Sequence, residues 1–388
     1  MKGVLDFHIP AHVKFGVDVV NRIGNVISEI DIGNKNHRPI IVTESVLYES
    51  GVIKRIKNIL SNSGYDPVIF DEVVLNAASD VVDDGAKRAK VAHSTVVIGL
   101  GGVRTLSIAK AIAMLANNEG EISDYIDGKI PSNPSLPYIE IPSTPRNPFM
   151  FRDEFWLTDA RNRKSVILKV KKNTTRFVLF DPSITTTLTR RLTATTSVEA
   201  FANSFEGYIS TEANYLSDTL FIKSMELFAN NIFNAANNPN DITARANLGL
   251  AGFLSSLGLS MTSTGITAAL SYVLSSKYKI HKSLSAAIIL PHVMDYNITA
   301  TPAKYVKIAE ALGEDVSGLS VVESAIKAIE KVRRIIIELQ LPTRLEEFDI
   351  TKDDLITVAN EARGFEMLNF LPRSCDVEEL YQILQAAY

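Results

Sequence analysis

The sequence holds one cysteine, Cys375, one tryptophan, Trp156, and six histidines in 388 residues. A single cysteine excludes any disulfide within the chain and accords with a reducing compartment. With no histidine near it in sequence, Cys375 does not read as a nucleophile. The histidines are His8, His12, His37, His93, His281 and His292, so only two fall in the second half. A three-histidine site cannot be built there. No stretch approaches the ~20 apolar residues of a membrane span, and the opening MKGVLDFHIP has no apolar signal core. Neither sign of charge prevails, since 40 basic and 44 acidic residues leave −4. The basic residues are scattered, which argues against a nucleic-acid surface. A cytoplasmic protein with neither nucleic-acid nor membrane partners is expected.

What the chain does have is ample core, at 46% hydrophobic residues, and a change of pattern midway. Its length suits about two or three domains. The first half alternates short apolar runs with helical periodicity. Val13–Phe15, Pro39–Val42, Pro67–Phe70 and Thr95–Ile98 read as strands, and Val17–Ile30, Val52–Leu60 and Ser79–Val91 as helices, with Ser79 as an N-cap. Such alternation predicts βαβ units and a parallel sheet. Thr95–Ile98 runs into Gly99-Leu100-Gly101-Gly102 and then a helical segment from Val103. Strand, glycine turn and helix bring bare N–H groups and a positive helix end towards a phosphate. The same glycines would serve a helix packed close on a sheet, and both readings stand. Tyr138–Ile141, Glu154–Thr158, Ser165–Val170 and Phe177–Phe180 read as antiparallel hairpins added to the sheet, with Trp156 as a packing residue. Beyond residue 183 helical periodicity takes over, in Ser197–Ile209, Ser217–Asn234, Ala244–Leu257, Ser283–Asn297, Ala303–Leu312, Val321–Leu339, Lys352–Arg363 and Val377–Ala387. The charged run Lys327–Arg334 is the solvated face of one of them. The expected fold is an α/β, Rossmann-like nucleotide-binding domain over 1–182, followed by an all-α domain over 183–388.

The chain resembles the iron-containing alcohol dehydrogenase family, whose fold is shared with dehydroquinate synthase and glycerol dehydrogenase. The resemblance rests on an ordered series: FHIPAHVKFGVDVV, IVTESVL, VIGLGGVRTLSIAKAIA, IPST, DPSITTTLTRRLTATT, FEGYIS, AIILPHVMDYN, LPTRL and LPRSCDVEELYQILQAAY. It implies NAD(P) bound in a cleft between the halves, and iron or zinc held by one aspartate and three histidines of the helical half. There the metal polarises the alcohol oxygen while hydride passes to nicotinamide. It also implies a homodimer or larger homo-oligomer and a small-molecule ligand in the cleft.

At the matching positions the implied metal ligands are replaced. The aspartate falls on Glu199, the first histidine on Asn203, the second near Gly265 and the third on Lys282, with His281 available only after a one-residue shift. His292 reads as a packed structural histidine. The chain is therefore expected to be a divergent member with no iron or zinc at the family site. Glu199 and Lys282 would face each other as a site in which the ammonium orients a carbonyl or carboxylate, or would form a salt bridge filling a disused cavity, or Lys282 would point to water.

The cofactor segments also depart from the family pattern. Gly101 and Gly102 match two of its three glycines, while Val103, Arg104 and Ser107 replace the third glycine, the serine and the aspartate. After Ile141-Pro142 the family's glycine- and hydroxyl-rich loop becomes Ser143-Thr144-Pro145-Arg146-Asn147-Pro148-Phe149-Met150. Arg104 and Arg146 either hold phosphates by charge or lie on loops in solvent. Glu44, ending the second strand, would accept ribose hydroxyls and repel a 2′-phosphate, so NAD is the expected dinucleotide. Thr144 and Asn76 are further candidate contacts. Two functions follow. One is NAD(P)-linked alcohol or aldehyde oxidoreduction without the usual metal, using Glu199 and Lys282. The other is a non-catalytic homologue, acting as a structural or regulatory subunit or binding a phosphate-bearing ligand.

Overall fold

The computed structural model describes residues 7–9, 11–31, 37–73 and 77–388. Asn76 lies outside them. The chain divides into two compact units, one over His8–Leu188 and one built on Thr189–Tyr388.

The first unit is organised on a six-stranded sheet in the order β1-β8-β5-β4-β2-β3. Its strands are β1 (His12–Phe15), β2 (Pro39–Thr43), β3 (Val68–Phe70), β4 (Val96–Gly101), β5 (Tyr138–Pro142) and β8 (Thr175–Phe180). Every pairing is parallel. Burial on both faces explains the largely apolar character of β2 and β4, while β5, equally buried, carries Glu140 among its apolar residues. On one face Ile41, Ile98, Leu100, Ile139 and Leu179 meet Val20, Ile23, Ile27 and Ile56 from the flanking helices. On the other runs the helix Val103–Ala116, buried along nearly its whole length. It reaches the sheet through Gly99, where a Cβ would stand 2.9 Å from Ala109 Cβ and 2.5 Å from Tyr138 Oη. Close helix–sheet packing is thus the task of Gly99. The turn is the task of Gly101, at φ +157°, where a Cβ would meet Thr105 Cβ at 2.7 Å.

Three expectations change here. Only β6 (Glu154–Thr158) and β7 (Ser165–Lys169) form an antiparallel hairpin, and it is a separate two-stranded sheet. β5 and β8 join the parallel sheet, as their two-sided burial requires. The segment 17–30 starts as a 3-10 turn at Val19–Arg22 and becomes a helix only over Ile23–Ser28, behind a left-handed Asp18. Ser79 precedes the helix Asp80–Val91 without capping it, because its hydroxyl accepts instead from Ala160 N at 3.0 Å. Trp156 is fully buried in the hairpin and donates its indole N–H to Ser165 Oγ at 3.0 Å.

The second unit is helical, with its elements near the expected places. The sequence pattern missed the helix Ile266–Tyr278, which is buried from Ile266 to Ser276 and so carries no polar stripe to reveal its period. The helix Val321–Glu338 is amphipathic. Its basic side faces solvent, with Lys331 and Arg334 paired to Glu314 and Arg333 to Asp295. No helix among the described residues is long and apolar enough to cross a membrane.

Candidate functional site

In the first unit the chain leaves β2 towards β3 on one side and leaves β4 towards β5 on the other. The carboxyl ends of β2 and β4 therefore border a topological switch point, the place where open α/β sheets bind ligands. Glu44 follows the last residue of β2, and its Oε1 accepts from Gly102 N at 3.3 Å. Gly102 is the N-cap of the helix Val103–Ala116 in extended conformation, so the turn's N–H groups open the helix. A Cβ there would touch only Thr144 Cγ2, at 3.5 Å. Thr144 comes from the neighbouring strand end, since Gly101 pairs with Pro142 and Ser143 N donates to Gly101 O at 2.9 Å.

The two arginines lie on the elements that border this point. Arg104 sits in the first turn of the helix. Burial loosens its hold on the proton most, while the charge of Glu44 strengthens it and that of Arg146 weakens it. Arg146 is buried at 5% exposure and is not a solvent side chain. Two buried hydroxyls on the flanking elements, Thr43 Oγ1 and Thr105 Oγ1, have no hydrogen-bond partner among the described residues.

The loop that carries Arg146 is held from below by residues that sequence reasoning passed over. Lys110, fully buried, donates to Phe149 O at 2.7 Å and Arg152 O at 3.1 Å. Glu140 Oε1 accepts from Asn147 Nδ2 at 2.6 Å, and Asn147 Oδ1 accepts from Phe149 N at 3.0 Å. Pro145 and Pro148 contribute no N–H, which leaves these side chains to close the loop's hydrogen bonds. Phe149, Met150 and Phe151 are packed inside. Burial pushes the Glu140 carboxyl above its ordinary range, and the Lys110 ammonium pulls it partly back. The one available signal was a lysine in the middle of a largely apolar helix, among Ile108, Ala109, Ala111 and Ile112.

In the second unit Glu199 and Asn203 lie four apart on the helix Arg190–Ile209, which Thr189 caps through Leu192 N at 3.2 Å. Lys282 opens the helix Lys282–Asn297. Its Nζ is 2.5 Å from Glu199 Oε1 and 4.3 Å from the centroid of the Tyr272 ring. Both charged side chains are buried, at 3% and 1% exposure. Lys282 thus meets Glu199 directly. The His281 ring pairs with Ser283 Oγ at 2.8 Å. At Gly265, where a family ligand was expected, a Cβ would meet Leu371 Cδ2 at 3.0 Å and Glu206 Oε1 at 3.2 Å. Glu206, also unforeseen, accepts from Gly265 N at 2.8 Å, Thr267 N at 2.5 Å and Ala268 N at 3.3 Å, and so caps the helix Ile266–Tyr278. No group of three or more His, Cys, Asp or Glu among the described residues is placed to hold a metal ion.

Comparison with known proteins decides the family. The model described as iron-containing alcohol dehydrogenase matches residues 10–182, and that of the Fe-containing alcohol dehydrogenase family, C-terminal, matches 193–388. The chain belongs to the iron-containing alcohol dehydrogenase family. Among its relatives is a sulfoacetaldehyde reductase of Bilophila wadsworthia, 29% identical over 381 residues and 97% of each chain. An NAD-dependent methanol dehydrogenase of Bacillus methanolicus is 25% identical over 98% of this chain and 99% of its own length. The crystal structure of a 1,3-propanediol oxidoreductase superposes with a TM-score of 0.93, covering all of both chains at 24% identity. Matches of this extent give no support to a chain divergent as a whole.

Proposed function

We propose that this family member is an NAD-linked oxidoreductase of small alcohols and aldehydes, with the dinucleotide seated at the switch point of the first unit. The observation that carries the reading is the placing of Glu44, Gly102 N and the helix start that bears Arg104 at the carboxyl ends of adjacent parallel strands, with the buried Arg146 on the loop that leaves the next strand. The donors suit a dinucleotide. Arg104, Arg146 and the helix start offer charge and N–H groups to the pyrophosphate. Glu44 offers a carboxylate to ribose hydroxyls and opposes a 2′-phosphate. Thr43, Thr105 and Thr144 add hydroxyls. Bound there, the nicotinamide would supply the hydride acceptor or donor. Lys110 and Glu140 hold the Arg146 loop in shape while it binds. Relatives that act on methanol and sulfoacetaldehyde support small alcohols and aldehydes as the substrate class.

The helical unit does not fit the family's iron, since its one carboxylate at the expected place is already closed by an ammonium.

Calorimetric titration tests the reading. NAD+ should bind with Kd below about 1 mM, equivalent to about 4 kcal/mol. NADP+ should bind more weakly, and Glu44→Ala should narrow the gap. Binding of neither dinucleotide refutes the proposal and leaves a non-catalytic homologue, for which inorganic pyrophosphate is the probe of Arg104 and Arg146.

A further inference from the structure

We propose that the Lys282 ammonium, held by the Glu199 carboxylate and the Tyr272 ring, is a tethered cation standing in the seat that the family gives to a metal ion, and that this chain takes up no divalent metal there. A carboxylate buried as deeply as Glu199 needs a positive partner, because an isolated charge in a low-dielectric interior is strongly disfavoured. Loss of histidine ligands alone would strand it. Lys282 supplies the missing charge from 83 residues away, at 2.5 Å. The ammonium is also 4.3 Å from the Tyr272 ring centroid, a second contact that only a cation gains.

The neighbouring positions are closed in the same sense. Gly265 has no room for a ligand side chain unless Leu371 and Glu206 move. Asn203 offers an amide, a poor ligand for iron or zinc. His281 pairs with Ser283 through Nδ1. Charge balance differs too. A carboxylate with an ammonium is neutral, whereas a carboxylate with a divalent ion is positive, so the pair keeps the fold of the site without its Lewis acidity.

The inference deepens the reading above but is tested in the other unit, by readouts that do not involve the dinucleotide. Purified full-length protein, incubated anaerobically with iron(II) or zinc and dialysed, is assayed for metal by mass spectrometry. Its melting midpoint is read with and without chelator. The expected result is well under one equivalent of metal and an unchanged midpoint. One equivalent bound, or a midpoint lowered by chelator, overturns the inference whatever the NAD+ titration gives. In Lys282→Ala the midpoint should fall, and propylammonium should restore part of it while leaving the wild type unmoved. A Lys282→Ala protein as stable as wild type overturns the tethered-cation role. If that variant does not fold, the metal assay on the wild type still decides.

Discussion

Glu206→Ala is the sharpest perturbation of the helical unit, because one side chain holds the start of a buried helix. The carboxylate receives two good N–H bonds, from Gly265 and Thr267, and a longer one from Ala268. Each buried donor left without an acceptor costs roughly 1–3 kcal/mol, and a carboxylate at a helix start contributes up to about 2 kcal/mol. Against this, burial raises the Glu206 carboxyl above its ordinary range, so the wild type already bears a desolvation cost that the variant escapes. A net loss of about 3 kcal/mol remains, which in a unit near 200 residues lowers the melting midpoint by about 6–12 °C. The assay is thermal unfolding followed by circular dichroism at a helix wavelength. Glu206→Gln keeps one acceptor oxygen but turns an amide N–H towards the helix start, so it should fall between. A midpoint within about 2 °C of wild type in Glu206→Ala would refute the reasoning, since the three N–H groups would have found other partners.

Three further outcomes are expected. Lys110→Met removes the donor to Phe149 O and Arg152 O, and limited trypsin digestion should then cut at Arg146 or Arg152 while the wild-type loop resists. Glu140 titrates above its ordinary value of 4.5, so the folded chain binds its proton more tightly than the unfolded chain. Its contribution to stability is then greatest below 4.5 and falls as pH rises through the raised value, and Glu140→Gln should flatten that part of a urea-midpoint profile. Cys375 is buried and its thiol is pushed up to about 11, which leaves about 0.1% thiolate at pH 8, so iodoacetamide should label it in urea and not in the native protein, as read by intact mass.

The legibility of this chain in its sequence follows a physical line. The parallel sheet was readable because strands buried on both faces leave unbroken apolar runs, as in Pro39–Val42 and Thr95–Ile98. The helix Ile266–Tyr278 escaped for the complementary reason, that burial on all sides erases the polar stripe by which a helix is recognised. The hairpin β6–β7 was seen, but β5 and β8 were assigned to the same pattern because short β-rich runs do not announce the direction of their partners. The pairing of Glu199 with Lys282 could be anticipated only through ordered family landmarks, since nothing local links residues 83 apart. Lys110, Glu140 and Glu206 carried no such landmark. A buried charge is identified by what it touches, and those contacts are made across the fold.

The single tryptophan has a use of its own. Trp156 lies in the first unit with no exposed surface, in a hairpin whose strands pair residue for residue from Glu154–Lys169 to Thr158–Ser165. Every photon emitted under selective excitation of indole therefore comes from one known place in His8–Leu188, and none from the helical unit. The fold carries a built-in optical label for half of itself. Comparing its emission shift with the loss of helical ellipticity along one denaturation series separates the order in which the two units open, with no dye attached and no residue changed.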